Sequence, residues 1–285
     1  MTGKGVRALS KPRFAVLGYP LEHTLSPQLH RRLFALKGLE VEYLTLALPP
    51  EEFCRRADEL FTLNGFNITM PYKQRIIPYL EGATQEALRF GSINTVLVHG
   101  SGRAIGHNTD IAGVVKSFEM LGVPFRSRVC IAGAGATARL VATEVVRRGG
   151  QVTIAVRPGP LGKAEALVHA VQRLSAQPCT TVCTLDSITE RYALLVNATP
   201  CGMFPDINGC PFPDRAIAQA DAVFDLIYNP EHTVLLTKAR ALGKPALGGL
   251  HMLAWQAAEA HDFWYGANFT VEQVERVVDE LRQIL

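Results

Sequence analysis

Residues 128–138 read Arg-Val-Cys-Ile-Ala-Gly-Ala-Gly-Ala-Thr-Ala, an apolar run, Arg128–Ala132, that breaks into the pattern Gly133-Ala134-Gly135-Ala136-Thr137-Ala138. Apolar positions then recur at helical spacing over Leu140–Val146, and a second apolar run follows over Gln151–Val156. This spacing predicts strand, tight turn, helix and strand, a complete βαβ crossover. Glycine permits the tight turn and close backbone approach, and the helix N-terminus turns unpaired N–H groups and a positive dipole end toward any pyrophosphate. Without its flanks G-x-G-x-x-A is a small-residue turn that packs a helix on a sheet; with them it points to a dinucleotide. Arg157 stands 22 residues after Gly135, at the end of the second strand. A free ribose 2′-OH favours Asp or Glu there, whereas Arg suits a 2′-phosphate, so the residue favours NADP over NAD. The plainer alternative is a solvated Arg at a strand end.

Upstream, Arg13–Leu17 reads as a strand closed by Gly18, and Ser26-Pro27 opens a periodic stretch, Gln28–Lys37, closed by Gly38. Ser26 as N-cap, Pro27 in the first turn and a glycine stop are helix punctuation. Val41–Ala47 and Phe66–Thr69 read as strands, Pro50–Thr62 as a helix, and Pro71 as the start of another. Ile93–His99 and Arg103–His107 flank Gly100-Ser101-Gly102 as a hairpin would. The alternation predicts an α/β chain with a mostly parallel sheet and an antiparallel border. Thr109–Leu121 reads as a helix stopped by Gly122 before Pro124. Downstream, Ala193–Asn197, Ala222–Asp225 and Pro245–Leu247 are strand candidates, Thr233–Leu242 a helix, and Leu250–Leu285 a helical tail whose last segment Thr270 caps.

The 285 residues, 48% hydrophobic with a net charge of +3, suit one large or two medium domains. Such a balance lacks the basic stripe of a nucleic-acid binder. The uncharged stretches Tyr192–Pro205 and Pro245–Ala258 are too short to span a bilayer. Met1–Arg7 has charge but no apolar segment behind it, unlike a secretory leader. Of six cysteines only Cys179 and Cys183 lie close together, with no His in ligand register. All six read as reduced, small apolar residues of a cytoplasmic protein that binds no metal.

Four polar segments remain. Gly65–Lys73 runs from a strand into the helix expected after Pro71, which puts Lys73 in a first turn, against the helix dipole. Gly106–Asp110 puts Asp110 in the first turn of the next helix, where an anion is favoured. Gly91–Thr95 and Gly18–Pro27 add hydroxyls and amides, the groups that pair with a polyhydroxylated ligand.

Together these motifs resemble the shikimate dehydrogenase family, from Phe14 to about Gly266. The resemblance is carried by Gly18–Pro27, Gly65–Lys73, Gly91–Val96, Gly106–Asp110, Gly133–Ala138, Asn197–Met203, Asp225–Thr233 and Gly248–Gln256, in family order and spacing. It implies a two-domain enzyme that reversibly reduces 3-dehydroshikimate to shikimate with NADPH, on the route to chorismate and the aromatic amino acids. An N-terminal α/β substrate domain with a mixed, mostly parallel sheet would comprise residues 1–110 and 250–285. A Rossmann-type NADP-binding domain would comprise 111–249, with a cleft between the two. The catalytic pair falls on Lys73 and Asp110. Substrate-holding positions fall on Thr24, Ser26, Asn67, Thr69, Asn94, Tyr228, Gly249 and Gln256. Cofactor positions fall on Gly133, Ala134, Gly135, Ala136, Thr137, Ala138, Arg157, Asn197, Thr199 and Leu226. The implied partners are the small-molecule substrate and NADP(H), in a monomer or homodimer.

The chain departs from the family pattern at Thr24, usually Ser; at Tyr72, usually His; and at Val156-Arg157-Pro158, usually Asn-Arg-Thr. Leu161 stands where a further basic residue is usual, with Lys163 the nearest cation. Two other readings follow: a quinate/shikimate dehydrogenase with relaxed substrate or cofactor choice, including NAD, and an inactive nucleotide-sensing paralogue. Retention of Lys73 and Asp110 argues against the second.

Overall fold

The computed structural model describes residues 11–22, 24–100 and 102–285. The readings on residues 1–10, His23 and Ser101 therefore lie outside the described residues. Backbone contacts divide the chain into two compact units: the residues up to Thr109 with Ala257–Val277, and Asp110–Gln256 with Val278–Leu285.

The first unit holds β1 (Arg13–Gly18), β2 (Glu42–Ala47), β3 (Gly65–Ile68), β4 (Gly82–Ala83), β5 (Thr95–Val98) and β6 (Ala104–His107) in one sheet of order β2-β1-β3-β5-β6-β4. β1 pairs in parallel with β2 and β3, whereas β5 runs antiparallel to β3 and β6. Central β1 is apolar on both faces because both are covered, β3 turns Phe66 and Ile68 to one face and Gly65 and Asn67 to the other, and Ala15, Leu17 and Phe66 have no exposed surface. Trp264 seals one face against Phe14 and Phe34 and donates its indole N–H to Val96 C=O at 2.9 Å.

Three helix readings change here. The helix α1 (Ser26–Leu36) is preceded by Leu25, whose backbone is already helical, and Ser26 makes no cap. Instead the Thr24 hydroxyl accepts the Ser26 N–H at 3.2 Å. The stretch 50–62 forms one α-turn, α2 (Phe53–Arg56), and then a 3₁₀ segment, Ala57–Thr62. Its buried positions Ala57, Leu60 and Leu63 recur every third residue, the period of a 3₁₀ helix. No α-helix follows Pro71: a turn closes from Ile76 N–H to Tyr72 C=O at 3.1 Å, and a 3₁₀ turn follows over Ile77–Tyr79. Pro78 has no N–H to give Gln74, whose carbonyl accepts from Ile77 instead, so the helix cannot propagate. Lys73 therefore faces no helix dipole. The short helix α3 (Gln85–Phe90), capped by the Thr84 hydroxyl, was not apparent from the sequence.

The second unit starts with α4 (Asp110–Met120) and continues β7 (Arg128–Ala132), α5 (Ala136–Arg147), β8 (Gln151–Val156), α6 (Gly162–Gln172), β9 (Thr180–Thr184), β10 (Leu194–Asn197), α7 (Asp214–Gln219), β11 (Ala222–Asp225), α8 (Val234–Ala241) and β12 (Ala246–Gly248). These six strands form an all-parallel sheet of order β12-β11-β10-β7-β8-β9, and the order reverses between β7 and β10. The long helix α9 (Gly249–Tyr265) starts in this unit and ends in the first, and α10 (Val271–Arg282) follows. Thr270 caps α10, accepting the Gln273 N–H while the Gln273 side chain accepts the Thr270 N–H. Within the second unit, Lys116 of α4 stands over the Trp255 ring of α9.

None of the six cysteines forms a disulfide. Cys54 departs from the core reading: it is exposed, with Sγ 3.9 Å from the Arg75 guanidinium.

Candidate functional site

In the first unit the C-terminal ends of β1 and β3 and the start of β5 bring together most of the polar residues singled out above. Thr69, just past β3, donates its N–H to Leu17 C=O at 2.8 Å, and Tyr19 N–H reaches Met70 C=O at 3.0 Å, which ties the 18–26 loop to the 69–73 turn. Ile93 N–H bonds Lys73 C=O at 2.8 Å, and Ile68 N–H bonds Asn94 C=O at 2.7 Å. Thr24, Ser26, Asn67, Thr69, Lys73 and Asn94 thus sit on adjoining, mutually bonded segments.

Asn67 and Asn94 are buried and joined through side chains. Tyr43 Oη donates to Asn67 Oδ1 at 2.8 Å, Asn67 Nδ2 to Thr95 Oγ1 at 3.1 Å, and Thr95 Oγ1 to Asn94 Oδ1 at 3.2 Å. Asn94 Oδ1 also accepts the Thr109 N–H at 2.8 Å, and Asn94 Nδ2 donates to Thr109 Oγ1 at 3.0 Å. Beneath this cluster Tyr43 stacks on His30 at 4.7 Å, and His30 Nδ1 pairs with His261 Nε2 at 2.9 Å. Burial drives both imidazoles down, His30 to about 3, so both are neutral near pH 7.

In the second unit the G-x-G-x-x-A turn links β7 to α5, beside the reversal of strand order where α/β sheets bind ligands. Gly133 has φ +104°, and a Cβ there would meet Ala198 O and Thr199 Cγ2 at 2.9 Å, so only glycine fits against the loop after β10. Gly135 is the opposite case: a Cβ there meets nothing within 4 Å, and no side chain caps α5. An open, uncapped helix N-terminus at this point fits a pyrophosphate. Arg157, exposed just past β8, is close enough to Cys201 to oppose the upward push of burial on its thiol. It can therefore reach toward the 197–201 loop.

That loop is held from below. Asn197 Nδ2 donates to Asp225 Oδ1 at 2.9 Å and to Cys201 C=O at 3.1 Å, while its Oδ1 accepts from Thr199 N–H and Oγ1 at 3.0 and 2.7 Å. Both amide hydrogens and both acceptor positions are taken by the protein. Asp225 also accepts from Ile227 N–H at 3.1 Å and from Thr233 Oγ1 at 2.7 Å, and Thr233 caps α8. Burial pushes the Asp225 carboxyl up to about 6 despite these three donors.

The remaining candidates of this unit flank α9. A Cβ on Gly249 would stand 2.1 Å from Leu226 O, so α9 can start against the 226–228 loop only at a glycine. This joins Gly249 to Leu226 and Tyr228, whose half-buried phenol burial pushes up. Gly113 of α4 packs against Met252 of α9; Asp110 lies one turn before Gly113 and Gln256 one turn after Met252. Asp110 occupies the first turn of its helix, as expected.

A family model for the shikimate dehydrogenase substrate binding domain matches residues 16–96. A shikimate dehydrogenase (NADP(+)) of Carboxydothermus hydrogenoformans is 33% identical over 276 residues, covering 92% of this chain and 95% of its own. The chain belongs to the shikimate dehydrogenase family. Among solved structures of the family, the Thermus thermophilus enzyme in complex with NADP(H) and shikimate is 33% identical with a TM-score of 0.82, covering 94% of this chain and 99% of that one. The Listeria monocytogenes enzyme in complex with shikimate and NAD is 26% identical with a TM-score of 0.82, covering 97% and 99%. At 94% coverage this likeness takes in residues of both units.

Among the described residues no cluster of His, Cys, Asp or Glu could hold a metal ion, and no helix is long and apolar enough to cross a membrane. The sequence reading missed Tyr43, whose partner is distant in the chain, and the anchoring roles of Thr95, Thr109 and Thr233. The last three lie within recognised segments, where a lone hydroxyl reads as a cap or turn residue.

Proposed function

We propose that the chain catalyses the reversible, NADP(H)-dependent reduction of 3-dehydroshikimate to shikimate, on the route to chorismate and the aromatic amino acids. The observation that carries this is near full-length likeness to shikimate dehydrogenases in a chain that keeps Lys73, Asp110 and the dinucleotide turn. Residues 1–110 and 250–285 serve the substrate, and 111–249 the cofactor. Gly133–Ala138 receive the pyrophosphate, Arg157 the 2′-phosphate, and Thr199 and Leu226 flank the nicotinamide half, with Asn197 acting through the shape of its loop. Bound NADPH supplies the hydride for the C3 ketone.

Lys73 donates the proton that the C3 oxygen needs as negative charge develops on it. Asp110 orients that ammonium and accepts a bond from a neighbouring substrate hydroxyl. Thr24 already accepts the Ser26 N–H. Its own hydrogen is therefore available, with the hydroxyls of Ser26 and of the neutral Tyr228, to an anionic carboxylate. Asn67, Thr69, Asn94, Gly249 and Gln256 complete the hold on the ring. The protein works in the cytoplasm as a monomer or homodimer and engages neither nucleic acid nor membrane. Its modest charge of +3 suits placed cations over a basic surface.

Thr24 in place of Ser, with Val156, Pro158 and Leu161 around Arg157, favours one second reading, a relaxed choice between shikimate and quinate and between NADP and NAD. One assay tests both: the purified protein with shikimate or quinate, each with NADP⁺ or NAD⁺, followed by absorbance of the reduced nicotinamide. Turnover with shikimate and NADP⁺ well above the other three supports the first reading. Comparable rates support the second, and no turnover in any arm overturns both.

A further inference from the structure

The side chains under Asn67 form a hydrogen-bond chain whose direction is set from its backbone end. At one end is the Thr109 backbone N–H, which can only donate; the Asn94 atom 2.8 Å away is therefore its oxygen. Thr95 Oγ1 lies 3.2 Å from that same oxygen and 3.5 Å from Thr109 Oγ1, and its single hydrogen goes to the nearer acceptor. Having donated, Thr95 must accept, so the Asn67 atom 3.1 Å from it is the amide nitrogen. Asn67 Oδ1 consequently faces Tyr43, and the phenol must donate at 2.8 Å. Reversing the Asn67 amide would draw the Thr95 hydrogen away from Asn94 Oδ1 and leave those two oxygens 3.2 Å apart with no hydrogen between them.

Tyr43 cannot easily turn away. It is 3% exposed, stacks on His30 with ring planes 9° apart, and lies in the cluster of Phe14, Phe34 and Trp264. Burial pushes its phenol well up, so the donating hydrogen is retained at any working pH. Asn67 keeps 6% of its surface exposed. With its oxygen turned to Tyr43 and one N–H to Thr95, what it presents is the second N–H.

We infer that Tyr43, Thr95 and the Thr109 backbone are positioning groups that hold Asn67 as a hydrogen-bond donor to the substrate, so that this position accepts only a ligand atom with a lone pair. The inference rests on the reading that Asn67 touches the substrate. A flipped Asn67 would present its carbonyl, which bonds only a ligand hydrogen and leaves a ligand acceptor unpaired. Tyr43 thus acts on binding, through Asn67, and not on the reacting atoms.

Steady-state kinetics of shikimate oxidation with NADP⁺ test this. Tyr43→Phe keeps the ring and removes the hydrogen that fixes Asn67. The expected result is a rise of about tenfold in KM for shikimate, with kcat within about threefold and KM for NADP⁺ within about twofold of wild type. Thr95→Ser, which keeps the hydroxyl, should match wild type, and Thr95→Val should reproduce or exceed the Tyr43→Phe effect. The Thr95 pair decides the matter if Tyr43→Phe folds poorly. An unchanged KM in Tyr43→Phe, or equal losses in Thr95→Ser and Thr95→Val, overturns the positioning role. Failure of the wild-type protein to oxidise shikimate overturns the functional reading beneath it, a separate outcome seen before any variant is made.

Discussion

Each unit carries a buried polar cluster at the ends of its strands, and the two are built to opposite plans. Around Asn67 and Asn94 every member is neutral, and Asn67 is left with an N–H to offer. Around Asn197 the amide is saturated by protein groups and the cluster contains a carboxyl, Asp225. A buried polar group must be satisfied by something. Where the protein supplies every partner, the residue shapes a loop; where one position is left over, it is open to a ligand. Asparagine alone, seen in a sequence, does not say which.

The comparison breaks most sharply at Lys73. Lys73→Ala should lower turnover by about 10²–10⁴-fold, the span of general acid–base catalysis, with NADP⁺ affinity and the urea midpoint near wild type. Retained turnover would remove the chemistry from the first unit.

The titration of the two clusters should differ in sign. Asp225 ionises with a pKa of about 6 when folded against an ordinary 3.8, so its contribution to stability is full below about pH 4 and is lost as pH rises through 6. At about 1.4 kcal/mol per unit this is about 3 kcal/mol. Urea midpoints at pH 4 and 7.5 should show wild type losing that much relative to Asp225→Asn. His30 and His261 are depressed when folded, so their contribution is full above about 6.5 and is lost as pH falls toward 3. A parallel pH response in wild type and Asp225→Asn would show that the carboxyl does not titrate in this range.

The smallest effects separate the two glycines of the turn. Gly133→Ala meets both a positive φ and the Ala198 carbonyl and should cost about 1–3 kcal/mol in thermal or urea unfolding. Gly135→Ala, in extended backbone with open space, should change stability by no more than about 1 kcal/mol while weakening NADP⁺ binding about tenfold by calorimetry. Unaltered NADP⁺ affinity in Gly135→Ala would count against a phosphate at this turn.

The βαβ unit around Gly133 was legible because its signals are local: apolar runs of strand length, small residues at the turn and helical periodicity after it. Helix α6 was not, since Leu161 provides no side-chain cap. Edge strand β9, Thr-Thr-Val-Cys-Thr, lacks apolar alternation because it is covered on neither side completely. The turn at Lys73 was misread because Pro71 is a residue that opens helices, and one missing N–H at Pro78 outweighs that signal. Candidate site residues surfaced as short polar segments. Their wiring, such as Tyr43 to Asn67 across 24 residues, is set by strand pairing, which no local pattern encodes.

The two tryptophans fall one to each unit, Trp264 in the first and Trp255 in the second. Trp264 sits against Phe14 with its N–H bonded to Val96, whereas Trp255 lies under the Lys116 ammonium. The chain therefore carries an intrinsic optical label in each half. Trp255→Phe and Trp264→Phe each leave a single emitter, through which the melting and ligand response of one half can be followed without added dye.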